Sequence, residues 1–177
     1  MKIRTFELCA GYDSQLMALE RLKKKHSDFD YECIGWSEIE PSAITLHNAC
    51  FPSLSGKNFG DMTKIDWSKV ADFDLLTYST PCQSVSQAGM QEGIEEGSNT
   101  RSSILWFTRN AIITKRPKIP LNGECRGSGS NKVHRVLQQV AQGAGILRIC
   151  QLCKGGKCCR LRCSSEQKTC LHALYTK

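Results

Sequence analysis

Over the first two thirds of the chain, apolar positions alternate between a strand period and a helix period. Residues 4–9 read as a short strand that ends in the turn Ala10-Gly11-Tyr12-Asp13. Ser14 then predicts an N-cap. Leu16, Met17, Leu19 and Leu22 follow at helical spacing, and Lys23-Lys24-Lys25 suit the negative end of a helix. Residues 31–37 predict a second strand running into Glu38 and Glu40. Pro41 opens the next helix where a proline is tolerated, with Ala43, Ile44 and Leu46 on its inner side. Residues 58–62 predict a short third strand ending in an acid. Residues 74–79, with Leu75, Leu76 and Tyr78, predict a fourth strand that is buried. A glycine- and acid-rich loop over residues 91–99 leads to an amphipathic helix over residues 102–115. Ile104, Leu105, Phe107, Ala111 and Ile112 form its apolar side. This order predicts an α/β fold, a mostly parallel sheet with helices on both faces.

The strand ends carry the chemistry. In open α/β sheets, ligands bind beyond the carboxyl ends of the strands. The first strand ends in Cys9-Ala10-Gly11, small residues that let a ligand approach the backbone. The second ends in Glu38, where a dinucleotide-type fold puts a carboxylate on a ribose hydroxyl pair. The third ends in Gly60-Asp61, a second acid. Either acid alone would read as a solvated turn residue. The fourth strand breaks at Pro81, which has no N–H for a ladder, and Cys82 follows. Alone, Cys82 would equally fit a small buried hydrophobe. Three strand ends suited to an adenosine-bearing ligand, followed by a nucleophile, form a narrower pattern. No Gly-x-x-x-x-Gly-Lys-Ser/Thr loop is present, and Tyr12-Asp13-Ser14 interrupt a Gly-x-Gly-x-x-Gly turn. The ligand implied has no pyrophosphate, and S-adenosylmethionine fits.

The chain resembles the N-terminal half of the DNA (cytosine-5) methyltransferases, whose sheet is Rossmann-like. Thr5-Phe6-Glu7-Leu8-Cys9-Ala10-Gly11-Tyr12-Asp13-Ser14 is similar to that family's first cofactor motif. Glu38 matches the ribose-binding acid, and Gly60-Asp61-Met62-Thr63 the motif whose acid meets the adenine. Pro81-Cys82-Gln83-Ser84-Val85-Ser86-Gln87-Ala88-Gly89 resembles the Pro-Cys-Gln signature. Thr100-Arg101-Ser102-Ser103 and Lys115-Arg116-Pro117-Lys118 fit the helix region that follows. Asp13 departs from the glycine usual after this turn. The resemblance implies cofactor contacts from Phe6, Cys9, Ala10, Gly11, Glu38, Ile39, Asp61, Met62 and Pro81. It implies substrate contacts from Gln83, Ser84, Ser86 and Arg101, and catalysis by Cys82. A thiolate adding to cytosine C6 makes C5 nucleophilic enough to accept a methyl group. The target base leaves the duplex to reach it, under a lid over residues 84–99. The implied partner is double-stranded DNA with a flipped cytosine. A monomeric bacterial or phage enzyme in the cytoplasm is expected, as in restriction–modification systems.

Composition divides the chain near Lys118. Residues 1–118 hold 14 Lys+Arg and 15 Asp+Glu. Residues 119–177 hold 10 and 2, so the formal charge of +7 comes from the last third. Seven of the 11 cysteines lie there: Cys125, Cys150, Cys153, Cys158, Cys159, Cys163 and Cys170. Met1-Lys2-Ile3-Arg4 leads straight into a strand-like run, so no secretory leader is expected, and no apolar run reaches membrane-spanning length. A reducing compartment, with free thiols, is therefore expected. Residues 1–118 read as the N-terminal part of a catalytic domain. Residues 119–177 read as a cysteine-rich basic tail, irregular or disordered, with residues 123–130 as an unstructured link.

The methyltransferase family carries Glu-Asn-Val after its next strand, and the printed chain does not; Glu124 is outside any such motif. One extra base near the Lys118 codon would account for this. Read from the second base of each codon, residues 119–131 can encode Tyr-Leu-Leu-Met-Glu-Asn-Val-Glu-Ala-Leu-Val-Gln. Residues 157–173 can encode a run containing Pro-Gln-Asn-Arg-Lys-Arg, similar to the family's Gln-x-Arg-x-Arg motif. The tail is therefore expected to be out of frame, the chain to be truncated and inactive, and its sheet edges to limit solubility. The competing reading is a zinc module. Cys150-x-x-Cys153 is a metal-type pair, and Cys158, Cys159, Cys163, Cys170 and His172 offer further ligands beside a basic surface suited to nucleic acid. The spacing provides no second Cys-x-x-Cys pair, and adjacent Cys158 and Cys159 are awkward for a tetrahedral site. No metal ligands are assigned.

Overall fold

The computed structural model describes residues 2–79, 81, 96–98, 101–123, 139 and 150–152. The described elements are β1 (Lys2–Leu8), α1 (Ser14–Lys25), β2 (Asp30–Ser37), α2 (Pro41–Cys50), β3 (Leu75–Tyr78), α3 (Thr108–Lys115), β4 (Ile119–Gly123) and β5 (Cys150–Leu152). The five strands form one parallel sheet in the order β2-β1-β3-β4-β5. Strand order reverses between β1 and β3, which opens the crevice that such sheets use for ligands. The α/β expectation holds.

Alternation along β1 assigns each face. Phe6 and Leu8 point into a core with Met62, Trp67, Val70, Phe73, Leu76, Tyr78, Leu105, Ala111 and Ile112. The opposite face packs Leu16, Leu19 and Leu22 of α1 against Cys33, Leu75 and Leu121. Both faces are covered, as a parallel sheet requires.

Several expectations change in detail. Asp13, not Ser14, caps α1: its carboxylate accepts the Leu16 N–H at 2.9 Å. The third strand reduces to one bridge, Trp36 to Asn58. Gly60, at φ 69, then turns the chain away, and Asp61 caps a short 3-10 helix over Met62–Lys64. The chain returns to β3 along the Phe6 face through this turn and a second one at Trp67–Lys69. The helix over residues 102–115 is split, with 3-10 geometry at Arg101–Phe107 and α geometry only from Thr108. Phe107 is exposed rather than inward. In α2, Leu46 is exposed and His47 is the buried residue. The sheet also runs past Lys118 into the tail expected to be irregular, because Ile119 and Leu121 fill the α1 face.

Gly35 lies where the Phe6 and Phe59 rings meet, 5.3 Å apart between centroids. A Cβ there would fall 2.8 Å from the Phe6 ring and 2.5 Å from the Phe59 ring. Phe59 is partly exposed and can swing aside, whereas Phe6 is fully buried. Gly35→Ala is expected to destabilise the fold by about 1–3 kcal/mol, read from the midpoint of urea unfolding. An unchanged midpoint would show that the Phe6 ring also yields.

Candidate cofactor and active site

The turn after β1 is tightly wound. Cys9, Gly11 and Asp13 have φ of 52, 58 and 64. Two of these are not glycine, and left-handed backbone at such residues persists where neighbours hold it. The Ala10 N–H donates to Ser37 O at 3.1 Å, and the Asp13 N–H to Ala10 O at 2.8 Å. The Gly11 N–H donates to the Glu38 carboxylate at 2.9 Å. That carboxylate also accepts the N–H groups of Ile39 at 2.8 Å and Glu40 at 3.0 Å. Glu38 is thereby fixed at the end of β2, joined to the β1 turn.

The third acid-bearing segment closes on the same place. Asn58 was read as part of a strand, but its side chain acts as a brace. Its oxygen accepts the N–H groups of Glu38 at 3.2 Å and Gly60 at 2.9 Å, and its amide donates to Glu38 O at 3.1 Å. The Ser37 hydroxyl donates to Gly60 O at 2.6 Å. Asp61 accepts the Thr63 N–H at 2.9 Å and hydroxyl at 2.8 Å. These bonds hold its carboxyl below the usual carboxylate range, so it is ionised at neutral pH. The Cys9 thiol donates to Met62 Sδ at 3.4 Å. Burial, reinforced by the charges of Glu38 and Asp61, pushes this thiol up to about 12. Cys9 is therefore an inert SH group at neutral pH, not a nucleophile.

Most of the sequence-predicted cofactor residues thus converge. Cys9, Gly11, Glu38, Asp61 and Met62 interact, and Ala10 binds the backbone beside Glu38. Phe6 instead lies wholly in the core beneath them. Ile39 and Tyr12, next to Glu38 and Gly11, are 65% and 51% exposed, which leaves apolar surface at the mouth. Between these segments, β3 points at the same edge, and the Ser79 N–H donates to Leu8 O at 3.3 Å. Pro81 is exposed beyond it. Cys82, Gln83, Ser84 and Ser86 lie outside the described residues, as does most of the expected lid. Arg101 starts a 3-10 turn, and its side chain is outside the description. The zinc ligands proposed for the tail also lie outside it, apart from the backbone of Cys150. Among the described residues no cluster suited to a metal ion occurs, and no helix is long and apolar enough to cross a membrane.

Sequence reasoning missed the layer beneath the turn. Glu7, on β1, is completely buried. It accepts the Thr5 hydroxyl, while its second oxygen has no hydrogen-bond partner among the described residues. Asp13 faces His47, with 3.4 Å between Oδ2 and Nε2, and both side chains are fully buried. The His47 ring stacks on Trp36 at 3.6 Å between centroids. Glu7 breaks the apolar pattern of β1, and that break was the one signal available.

An open α/β sheet with acids and a glycine turn at one edge defines a Rossmann-like fold of the ligand-binding type. The comparisons with known proteins make this specific. Residues 3–121 match the family described as C-5 cytosine-specific DNA methylase, and the chain belongs to that family. It is 31% identical over 167 aligned positions to type II methyltransferase M2.ScrFI of Lactococcus lactis subsp. cremoris, covering 66% of this chain and 45% of that protein. It is 34% identical over 117 positions to orphan methyltransferase M.SPRI of Bacillus phage SPR, covering 66% and 25%. The fold is similar to the S. pombe Dnmt2 methyltransferase, with a TM-score of 0.55, 17% identity, and coverage of 79% of this chain and 39% of that one. The chain spans less than half the length of each. Methyltransferases of this family generally use S-adenosylmethionine.

Burial, then the nearby charge of Asp13, raise the Glu7 carboxyl well above its ordinary range. An acid that holds its proton more tightly when folded stabilises the fold fully below its unfolded-chain pKa. That contribution is lost as pH rises through the carboxylate range towards the raised value. Wild-type stability is therefore expected to fall as pH rises above the ordinary carboxylate range, with a slope of up to about 1.4 kcal/mol per pH unit for this one group. Glu7→Gln should flatten the slope in urea titrations. An identical slope in the variant would assign it to other groups.

Proposed function

We propose that this chain is the N-terminal part of a DNA (cytosine-5) methyltransferase that binds S-adenosylmethionine at the β1–β2 edge and uses Cys82 as nucleophile. The observation that carries this reading is the joining of Gly11, Glu38 and the Asn58–Met62 segment at one edge of the sheet. The residues present fit the cofactor. Glu38 is oriented by three N–H donors to accept from ribose hydroxyls. Asp61, ionised, accepts from the adenine amine. Ile39 offers exposed apolar surface beside them. The bound cofactor supplies the methyl group as a sulfonium electrophile. Cys9, held protonated beside it, does not compete for that methyl group.

In this reading Cys82, which follows β3 in the sequence, meets a cytosine turned out of double-stranded DNA. Its thiolate bonds to C6, and the ring electrons move to C5, which takes the methyl group. A base then removes the C5 proton, and the C6–S bond breaks to release Cys82. Gln83, Ser84, Ser86 and Arg101 are assigned to the substrate side. The enzyme acts as a cytoplasmic monomer in this reading.

We also propose that residues 119–177 are out of frame, so that the printed chain is an inactive, truncated form. Two core positions of β4 support this. Pro120 and Asn122 are buried on the Phe6 face, where a strand covered on both sides calls for apolar side chains. The restored reading puts Leu and Met there. The β3–β4 register pairs Tyr78 with Asn122. Continued one step, it puts the restored glutamate opposite Ser79, at the same edge as the crevice.

The test is to resequence the DNA across codons 117–121 and to assay both chains for transfer of labelled methyl to cytosine. Activity is expected only in the chain continued through Glu-Asn-Val, with Cys82→Ser lowering it by at least about a thousandfold. Methyl transfer by the printed 177-residue chain would overturn the out-of-frame proposal. Full activity in Cys82→Ser would overturn the assignment of the nucleophile.

A further inference from the structure

We propose that His47 is a positioning residue for the cofactor turn, acting through Asp13. The proposal rests on the reading of residues 9–13 as a wall of the S-adenosylmethionine site. The turn is gripped at three points along and just after β2. Two grips are direct, from the Ala10 N–H to Ser37 O and from the Gly11 N–H to Glu38. The third is relayed. Asp13 Oδ1 accepts the Leu16 N–H at 2.9 Å, and Oδ2 faces His47 Nε2 at 3.4 Å. The His47 ring lies flat on Trp36, with 18° between the planes. Trp36 stands two residues before Glu38 and is itself held by its indole N–H on Leu54 O at 2.9 Å.

Asp13, His47 and Trp36 are all wholly buried. Water therefore neither competes for the Asp13–His47 contact nor supplies a substitute for it. A glycine at residue 13 would accept the φ of 64 without strain, but would have nothing to offer α2. An aspartate there exchanges conformational ease for a fixed address. His47 is also the buried residue of α2, so this contact ties that helix to the turn. The inferred consequence is that Gly11 meets Glu38 in one geometry before any ligand arrives.

The test uses the full chain with Asp13→Asn, His47→Gln and the double variant. Asparagine keeps both the cap and the tolerance for left-handed backbone. Two readouts are taken: affinity for S-adenosylmethionine by calorimetry, and amide hydrogen exchange at Gly11 without ligand. Each single variant is expected to bind roughly tenfold more weakly and to exchange at Gly11 correspondingly faster. The double variant should be no worse than either single one. Leu19→Ala, which weakens the α1 core away from the turn, should lower the melting temperature while leaving both readouts in place. Wild-type affinity and exchange in His47→Gln, or losses that multiply in the double variant, would overturn the proposal. If the wild-type chain binds no cofactor, the cofactor reading fails, and Gly11 exchange still decides whether His47 holds the turn.

Discussion

The structure depends on how a strained turn is held. Cys9, Gly11 and Asp13 each place left-handed backbone in five successive residues, directly after β1, the strand between β2 and β3. No regular element could follow β1 so closely in that geometry without outside support. The support comes from β2, through Ser37 and Glu38, and from α2, through His47. The acid that suits a ribose is therefore also a structural tie. Its position at the crevice follows from the bond that keeps the turn closed.

The same economy is seen in the thiols. Cys9 is kept protonated first by burial and then by the charges of Glu38 and Asp61. Cys33 is pushed up in the same direction, chiefly by burial. Chemistry assigned to Cys82 thus has no rival among the two thiols nearest the central strands. The protonation of these two thiols is set first by burial and then by the neighbouring acids.

Much of this was legible in the sequence. The strand ends at Gly11 and Glu38 and the turn at Asp61 adjoin one another, and they are legible because small and acidic residues follow apolar runs. The unread parts share a physical cause. The third strand failed because one positive-φ glycine, Gly60, and one capping aspartate, Asp61, outweigh a five-residue propensity. The inner face of α2 was misassigned because hydropathy favours Leu46 over His47. The histidine is buried by a partner, Asp13, that lies far away in the chain. Split geometry in the helix over residues 102–115 leaves Phe107 outside, although its spacing is helical. Pairings between distant side chains leave little trace in a local pattern.

One edge of the sheet is finished without a strand. Along β2, Lys57 caps the carbonyl of Cys33 at 2.8 Å, the Phe59 N–H takes that of Trp36 at 2.8 Å, and the Asn58 amide takes that of Glu38 at 3.1 Å. Side chains and a loop thus occupy acceptors that a neighbouring molecule would otherwise recruit. Growth of the sheet is consequently one-directional. The side first made on the ribosome is sealed by its own local sequence, and strands are added only on the other side as they emerge. A polypeptide that loses its reading frame late still presents a completed margin on the early side.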